Sequence, residues 1–584
     1  MRWLAASLAV VCASVLTAVA LAFAFGRLTP PIAVVSLCSG LGVGLLALAS
    51  TRGKKKRTLP AGWEWLPIVV FVLFSLRAFC WLIYADDDDI KILSPNNLGD
   101  MALHLTYINY LANGARFWPD EPIFPGHPLH YPIGTDLFNS LLVLCHTDIY
   151  WGLIWAGLAG CAATGFALYE WGGAFTLAGF LFNGGLWGFA FFHTWMIKDY
   201  QEDHAWKSIP LAMFVTQRGL LYALPAGLLL LISWRDRFFR GKPGRIPLWL
   251  EVLLYSSMPL FHFHTFVFLS LLLGCWLAMD VFRPPAGRPR WAVLKLVAWS
   301  VLPATVLVGF VCGFSGGGSM IHVVDLTKAG LWTQGNDDSI TYWLGNFGIL
   351  PLLTALLACM LACSWERGKW IGDLEAAAFV FPSLAIFLFA CIVILAPWDW
   401  DNIKLLLWCY LAVLPFLWRN LIAERPFAAR APICFALFFS GFISLFGGID
   451  QSHKGYDLAK RSELDGTRDA VRALPIDEIF AGSPTYNHPL LLIGRKMVMG
   501  YPGHLWSHGY DYQAREKKLG QLMMGGAKWR EIAASLNVRY LFWGEKEEAE
   551  GDGGYAGSRQ PWKEREIAEG EWGKIYDLGS VVKK

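Results

Sequence analysis

Charge is what this 584-residue chain lacks first. Only 16% of its residues are Asp, Glu, Lys or Arg, against 55% hydrophobic ones and a mean hydropathy of +0.42. About a quarter of a soluble globular chain is charged, so a water-soluble fold burying all of this apolar surface is excluded. The formal net charge is only +3 and no basic run is interleaved with stacking aromatics, which excludes a nucleic-acid partner. Disulfide and zinc patterns are missing too. The 12 Cys lie almost entirely in apolar runs, none follows Cys434, and there is no CxxC pair. Cys359 and Cys363 stand one helical turn apart without His or Cys neighbours to complete a zinc site. They read as small core residues. No internal repeat of 20–50 residues is present either.

What the chain has is a succession of apolar runs, most of them long enough to cross a bilayer. They predict about 13 transmembrane helices near 4–26, 31–50, 64–85, 149–169, 173–192, 211–234, 247–260, 264–282, 291–313, 343–363, 374–396, 403–418 and 431–448. The first run is longer than the apolar stretch of a secretory signal and a second follows at once, so an uncleaved span is expected. The 29 Trp suit helix ends anchored at headgroup level. Basic clusters occur at Arg52, Lys54–Lys56 and Arg57, at Arg235–Arg245, at Arg283–Arg290, at Arg367 and Lys369, and at Arg419–Arg430. With a cytoplasmic N-terminus every cluster falls inside, as the positive-inside rule requires. Residues 247–282 meet it only as two short helices turning outward near Pro259–His264, where Pro259 favours a break.

The outer side then receives a long first loop (86–148), a second loop (193–210), a Gly-rich third loop (314–342), the short "PWDWDNIK" (397–404) and the tail from about 449. The tail predicts a small α/β domain, with strands at Glu478–Ala481, Leu490–Gly494 and Arg539–Trp543 and helices at Tyr512–Met523 and Lys528–Leu536. Residues 549–560 read as a loop. The fold class is therefore a polytopic α-helical membrane protein with a small C-terminal extracytoplasmic α/β domain.

Candidate chemistry gathers on that outer side. The acidic run Asp86–Asp89 is either a solvated barrier to translocation or a site for Mg or Mn, which favour carboxylates. Asp100 opens a predicted amphipathic surface helix, with His104 four residues on and so on the same face. It is a candidate base or merely a helix cap. A Pro- and aromatic-rich stretch then holds His127, His130, Tyr131 and Asp136 near the bilayer. Charges in or beside spans are functional candidates by default. Arg218 lies within the sixth span and either pairs with Asp199 or Glu202 or binds an anion. Asp399, Asp401 and Lys404 sit between and beyond Trp398 and Trp400, as an interfacial ion pair or a ligand site. His262 and His264 at the hairpin tip are open between phosphate binding and helix capping. His193 and His204 flank acids in a spacing that matches no zinc pattern, and His488, His504 and His508 lie in a tail segment suited to lining a sugar site or to loop packing.

The layout resembles the GT-C superfamily of membrane glycosyltransferases. The likeness is strongest at 99–142, "GDMALHLTYINYLANGARFWPDEPIFPGHPLHYPIGTDLFNSLL", which is similar to the first outer loop of protein mannosyltransferases and aminoarabinose transferases. In those loops an Asp-Glu pair is followed by a surface helix and a Pro-rich crossing. Asp100 falls at the Asp and Met101 stands in place of the Glu. The tail has no WWDYG motif of oligosaccharyltransferases, so protein N-glycosylation is not expected. The resemblance implies a polyprenyl-phosphate sugar donor, an acceptor it does not name, and transfer at the outer face of the plasma (inner) membrane. Asp100 and His104 would be catalytic, and Arg218, Lys404, Asp399, Asp401, His262, His264, His130 and Tyr131 would bind substrate. It also implies a division into 1–62 (two extra helices and a basic cytoplasmic loop), 63–448 (the GT-C-like core) and 449–584 (the tail). A transporter or flippase of a lipid-linked or anionic solute, or a non-catalytic envelope scaffold, are the competing readings.

Overall fold

The computed structural model describes residues 1–51, 60, 62–282, 291–313, 322–323, 339–366, 369–370, 373–449, 454–551 and 553–579. The basic residues expected at 52–57 and 283–290, Arg367, and most of the third outer loop lie outside the described residues.

Among the described residues sixteen α-helices precede the tail. They are α1 (Arg2–Phe25), α2 (Pro30–Ser50), α3 (Trp65–Cys80), α4 (Leu98–Ala112), α5 (Gly134–Leu144), α6 (Ile149–Leu181), α7 (Phe191–Thr194), α8 (Leu220–Phe239), α9 (Leu248–Phe261), α10 (Phe263–Phe282), α11 (Ala292–Cys312), α12 (Ser339–Phe347), α13 (Leu350–Cys363), α14 (Leu374–Ile392), α15 (Ile403–Leu417) and α16 (Phe427–Gly448). Nine described helices are long and apolar enough to cross a membrane, or ten if α12 and α13, bent by 87°, form one broken span. The protein is thus a multi-pass membrane protein with a C-terminal mixed α/β sheet domain. The thirteen expected segments differ from this count mainly where a run is helical but short or interrupted.

Local chemistry explains the breaks. Gly26 ends α1 in the left-handed region (φ 82°), and Pro30 and Pro31 begin α2, where their missing N–H groups cost nothing. The runs expected as separate spans, 149–169 and 173–192, are two helices that abut within α6, divided at Gly172 and Gly173, where the backbone leaves the helical region (φ −150° and 71°). The second stops at Leu181 rather than residue 192. Just beyond its end Asn183 anchors the second loop, donating to the Lys207 carbonyl (2.9 Å) and accepting from the Ile209 N–H (2.7 Å). The 247–282 stretch is two helices as expected. The break falls at His262 (φ −158°), whereas Pro259 lies inside α9.

One expectation for the first outer loop needs correction. Helix α4 is not amphipathic on a membrane surface: Met101–Ile108, Tyr110 and Leu111 are all buried. It is covered on one side by α5 and on another by the tail, whose helix Pro489–Leu492 presents its last carbonyls to it. Asn109 donates to the Leu492 carbonyl (2.6 Å) and Asn113 to that of Ile493 (2.8 Å). The Asp86–Asp89 run is a hairpin turn between strands Tyr84–Asp86 and Asp89–Ile92, which add the tail strand Tyr456–Lys460 as a third member. Asp86 pairs with Lys91 (2.7 Å), and Asp88 accepts from the Ser462 N–H (2.8 Å) and hydroxyl (2.5 Å). Asp88 thereby ties the tail to the loop.

The tail sheet runs Glu566–Gly570, Gly573–Asp577, Tyr540–Trp543, Ile479–Ala481, Lys496–Met497, antiparallel over the first three strands and parallel thereafter. The expected strand at Leu490–Gly494 is instead the helix Pro489–Leu492. Pro489 occupies its first turn and the His488 side chain caps it by accepting from the Leu490 N–H (3.2 Å). A short apolar run does not distinguish a buried strand from a buried helix.

Candidate functional site

A polar cavity of about 420 Å³ lies where α4, the α5 entry, the α9–α10 junction, the start of α15 and the tail meet. Asp100, His104, His130, Tyr131, Arg218, His262, His264, Asp401 and Lys404 all line it, together with His504 and His508 of the tail. The backbone of Asp399 opens the turn Asp399–Asn402, and its side chain lies outside the described residues. His193 is exposed on the second loop and His204 stacks on Trp187 at 4.0 Å. Among the described residues no three His, Cys, Asp or Glu side chains are grouped to hold a metal ion.

The acidic wall is built on α4. Asp100 sits in its first turn, but the side-chain cap that would explain it is absent: the cap position is Asn97, also without a side-chain bond. One turn on, His104 is oriented by Asp136 of α5, whose two oxygens lie 2.9 Å from Nδ1. An ionised carboxylate only accepts, so Nδ1 carries the proton and Nε2 remains available. Asp100 is partly accessible only because it faces the cavity. Dense protein around it strips away water and raises its pKa above the usual carboxylate value, with His104 and Lys404 pulling partly back. Gly99 lets the tail come this close, since a Cβ there would stand 3.2 Å from His504 Nε2. His504 and His508 are held neutral by burial, pushed down to about 4 and about 3.

The cationic wall comes from distant spans. The expected sixth span is interrupted: Ile209–Phe214 is π-helical, α8 begins at Leu220, and Arg218 occupies the non-helical link between them. It pairs with neither Asp199 nor Glu202. Fully buried, it donates from Nη2 to the Leu153 carbonyl (3.3 Å), while Nε and Nη1 have no partner. Buried donors are normally satisfied, so these two nitrogens stand out, and the acid whose charge acts on them is Asp136. Lys404 pairs with Asp401 at 2.8 Å. Both are fixed by the buried Asn402, which donates to the Ala390 (2.8 Å) and Val393 (2.6 Å) carbonyls and accepts from the Leu395 N–H (3.1 Å). His264 Nε2 is also buried without a partner. His262 differs: both its ring nitrogens are engaged inside the protein, by Thr265 and by Gln217. Its Nδ1 also faces the Thr265 N–H at 3.2 Å, at the start of α10.

Sequence reasoning did not single out Asp136 as the partner of His104, nor Thr216, Gln217, Lys207 and Ser507, which also line the cavity. For Gln217 the available signal was its place beside a buried arginine. For Asp136 it was an acid in the first turn of an apolar helix.

Close packing holds the two walls together. A Cβ on Gly219 would stand 2.1 Å from the Phe261 carbonyl oxygen, and one on Gly134 2.9 Å from that of Leu260. Both glycines therefore let their chains abut the end of α9. Gly219→Ala is expected to cost about 1–3 kcal/mol, read as a lower melting temperature in detergent, and to displace the neighbouring Arg218. A variant with unchanged melting and unchanged activity would contradict this packing.

No family model matches the chain, and no curated protein matches it in sequence. Among solved structures it is distantly similar to an archaeal oligosaccharyltransferase of Archaeoglobus fulgidus. In its complex with an inhibitory peptide and a dolichol-phosphate that protein is 12% identical, with a TM-score of 0.46 over 83% of this chain and 70% of the other. Tethered to an acceptor peptide it is 11% identical, with a TM-score of 0.44 over 83% and 69%.

Proposed function

We propose that the chain is a GT-C-type glycosyltransferase that moves a sugar from a polyprenyl-phosphate donor to an acceptor hydroxyl at the outer face of the plasma membrane. In this reading the helices, including those too short to count alone, form a GT-C-like core over 63–448. Residues 1–62 are an addition to it and 449–584 a tail outside the membrane, with the N-terminus cytoplasmic. The observation that carries the proposal is one cavity with a desolvated carboxylate, Asp100, on one wall and a buried, half-unpartnered guanidinium, Arg218, on another.

The chemistry follows from those two walls. The acceptor oxygen attacks the anomeric carbon from the face opposite the phosphate, the acceptor proton passes to Asp100, and the bond from the anomeric carbon to the phosphate oxygen breaks. The electron pair leaves with polyprenyl phosphate, and the anomeric configuration inverts. Charge therefore grows on the phosphate as it departs, where Arg218 and Lys404 stabilise it in a low-dielectric site. His104, held by Asp136, stabilises the ionised form of Asp100. The donor's lipid tail confines the phosphate to headgroup depth, which suits a cavity opening between spans and tail.

Purified full-length protein incubated with a panel of radiolabelled polyprenyl-phosphate sugars and membrane-derived acceptors is expected to release free polyprenyl phosphate. Movement of intact donor across proteoliposomes without release would assign transport instead, and neither release nor movement would leave the scaffold reading.

A further inference from the structure

A chain of hydrogen bonds runs from the core of the spans to the cavity wall beside Arg218. The buried indole of Trp408 on α15 donates to Thr265 Oγ1 at 2.8 Å. That hydroxyl has a single proton, and 2.8 Å away is His262 Nδ1. The Thr265 backbone N–H points at the same nitrogen from 3.2 Å. A ring nitrogen facing two donors carries a lone pair, so the proton of neutral His262 is on Nε2. Nε2 in turn faces Gln217 Oε1 at 3.3 Å. With its oxygen so engaged, the Gln217 carboxamide has its NH2 left for the cavity that it lines.

We infer that Gln217 is a ligand-binding residue whose carboxamide N–H donates to the donor phosphate, and that Trp408, Thr265 and His262 are positioning residues that fix its orientation. This deepens the proposed function and rests on its phosphate site. Three features favour the assignment. Gln217 is the immediate neighbour of Arg218, whose Nε and Nη1 have no partner. Thr265, His262 and Trp408 are all buried, so the relay is shielded from competing water. Finally, an amide free to flip would present its oxygen to an anion half of the time, whereas the relay permits only the donor end.

The test compares binding of a polyprenyl phosphate with that of the matching neutral polyprenol to the purified full chain in nanodiscs. Gln217→Met is expected to weaken phosphate binding about tenfold and leave polyprenol binding unchanged. Thr265→Val, which removes the hydroxyl and keeps the shape, is expected to weaken it about fivefold, with recovery in Thr265→Ser. Loss of both ligands in Thr265→Val would mark a packing defect, and Gln217→Met then decides alone. Retention of the wild-type preference for phosphate in Gln217→Met, while Arg218→Gln abolishes it, would overturn this inference and leave the phosphate site standing. Absence of that preference in the wild type would overturn both.

Discussion

Asp100→Asn is expected to lower the turnover number by about 10²–10⁴-fold at neutral pH, the usual contribution of a positioned general base, while donor binding is retained. The substitution keeps size and hydrogen-bonding shape and removes only the ability to accept the proton. The phosphate is held on another wall, so the loss belongs in kcat rather than KM. Burial raises the Asp100 pKa, which sets the sign of two further results. The working form is ionised, so wild-type activity is full above the raised pKa and falls as pH drops through it. The acid limb of kcat/KM should therefore lie above the ordinary carboxylate value of about 3.9. The folded state, by contrast, is stabilised by protonation: the contribution is present below the unfolded pKa and lost as pH rises through the folded one. At neutral pH the ionised carboxylate then burdens the fold, and Asp100→Asn should melt at a higher temperature than the wild type. A variant that is more stable yet inactive separates a functional acid from a helix cap, because loss of a cap lowers stability. Transfer at wild-type rate, or an acid limb at the ordinary carboxylate value, would remove Asp100 from the mechanism.

Much of this architecture was legible in the chain because the membrane restricts the options. Apolar runs long enough to span must close their own hydrogen bonds as helices, and α1, α2, α11, α14 and α16 lie close to their expected bounds. Failures fall where tertiary cover replaces lipid. Helix α4 carries polar residues on a periodic face that suggests a surface helix, but the Asn109 and Asn113 amides are there to receive the tail. The run "PLLL" reads as a strand until the His488 cap is seen. In the acidic hairpin Asp86 and Asp87 are exposed, as solvated charge should be, and what the sequence hides is the bond of Asp88 to Ser462, more than 370 residues away.

The candidate site divides along the same line. Asp100 and Arg218 stand out in sequence because a charge in apolar surroundings has few innocent explanations. That both face one cavity is a matter of packing between α4, the link before α8 and the end of α9, set partly by Gly219 and Gly134. Neutral participants carry no such flag. Thr265 and Trp408 look like ordinary core residues, and the engagement of both nitrogens of His262 becomes evident only when the four side chains are seen in line.

Arg218→Met should be the companion of Asp100→Asn with the opposite signature in binding. Removing a preorganised stabiliser of developing charge costs about 10²–10³ in kcat, and here the donor KM should rise as well, since the ground-state phosphate already bears charge. The apo fold should respond the other way. Arg218 is buried with two of its three nitrogens unpartnered, and an unpaired buried charge replaced by an apolar side chain of similar length relieves desolvation. The apo variant is therefore expected to melt at or above the wild-type temperature. Polyprenyl phosphate at about 100 times its Kd should stabilise the wild type by about 2.7 kcal/mol, and Arg218→Met should lose most of that gain. Thermal melts with and without ligand, run beside the transfer assay, read all three quantities on one preparation. A variant that keeps the ligand-induced shift would show that the phosphate sits elsewhere. One that melts well below the wild type without ligand would make Arg218 a structural residue, with Leu153 as its true partner. The expected combination, a firmer empty protein that neither binds nor transfers, is what a buried guanidinium held ready for an anion requires, because the stability it costs is recovered only when the phosphate arrives.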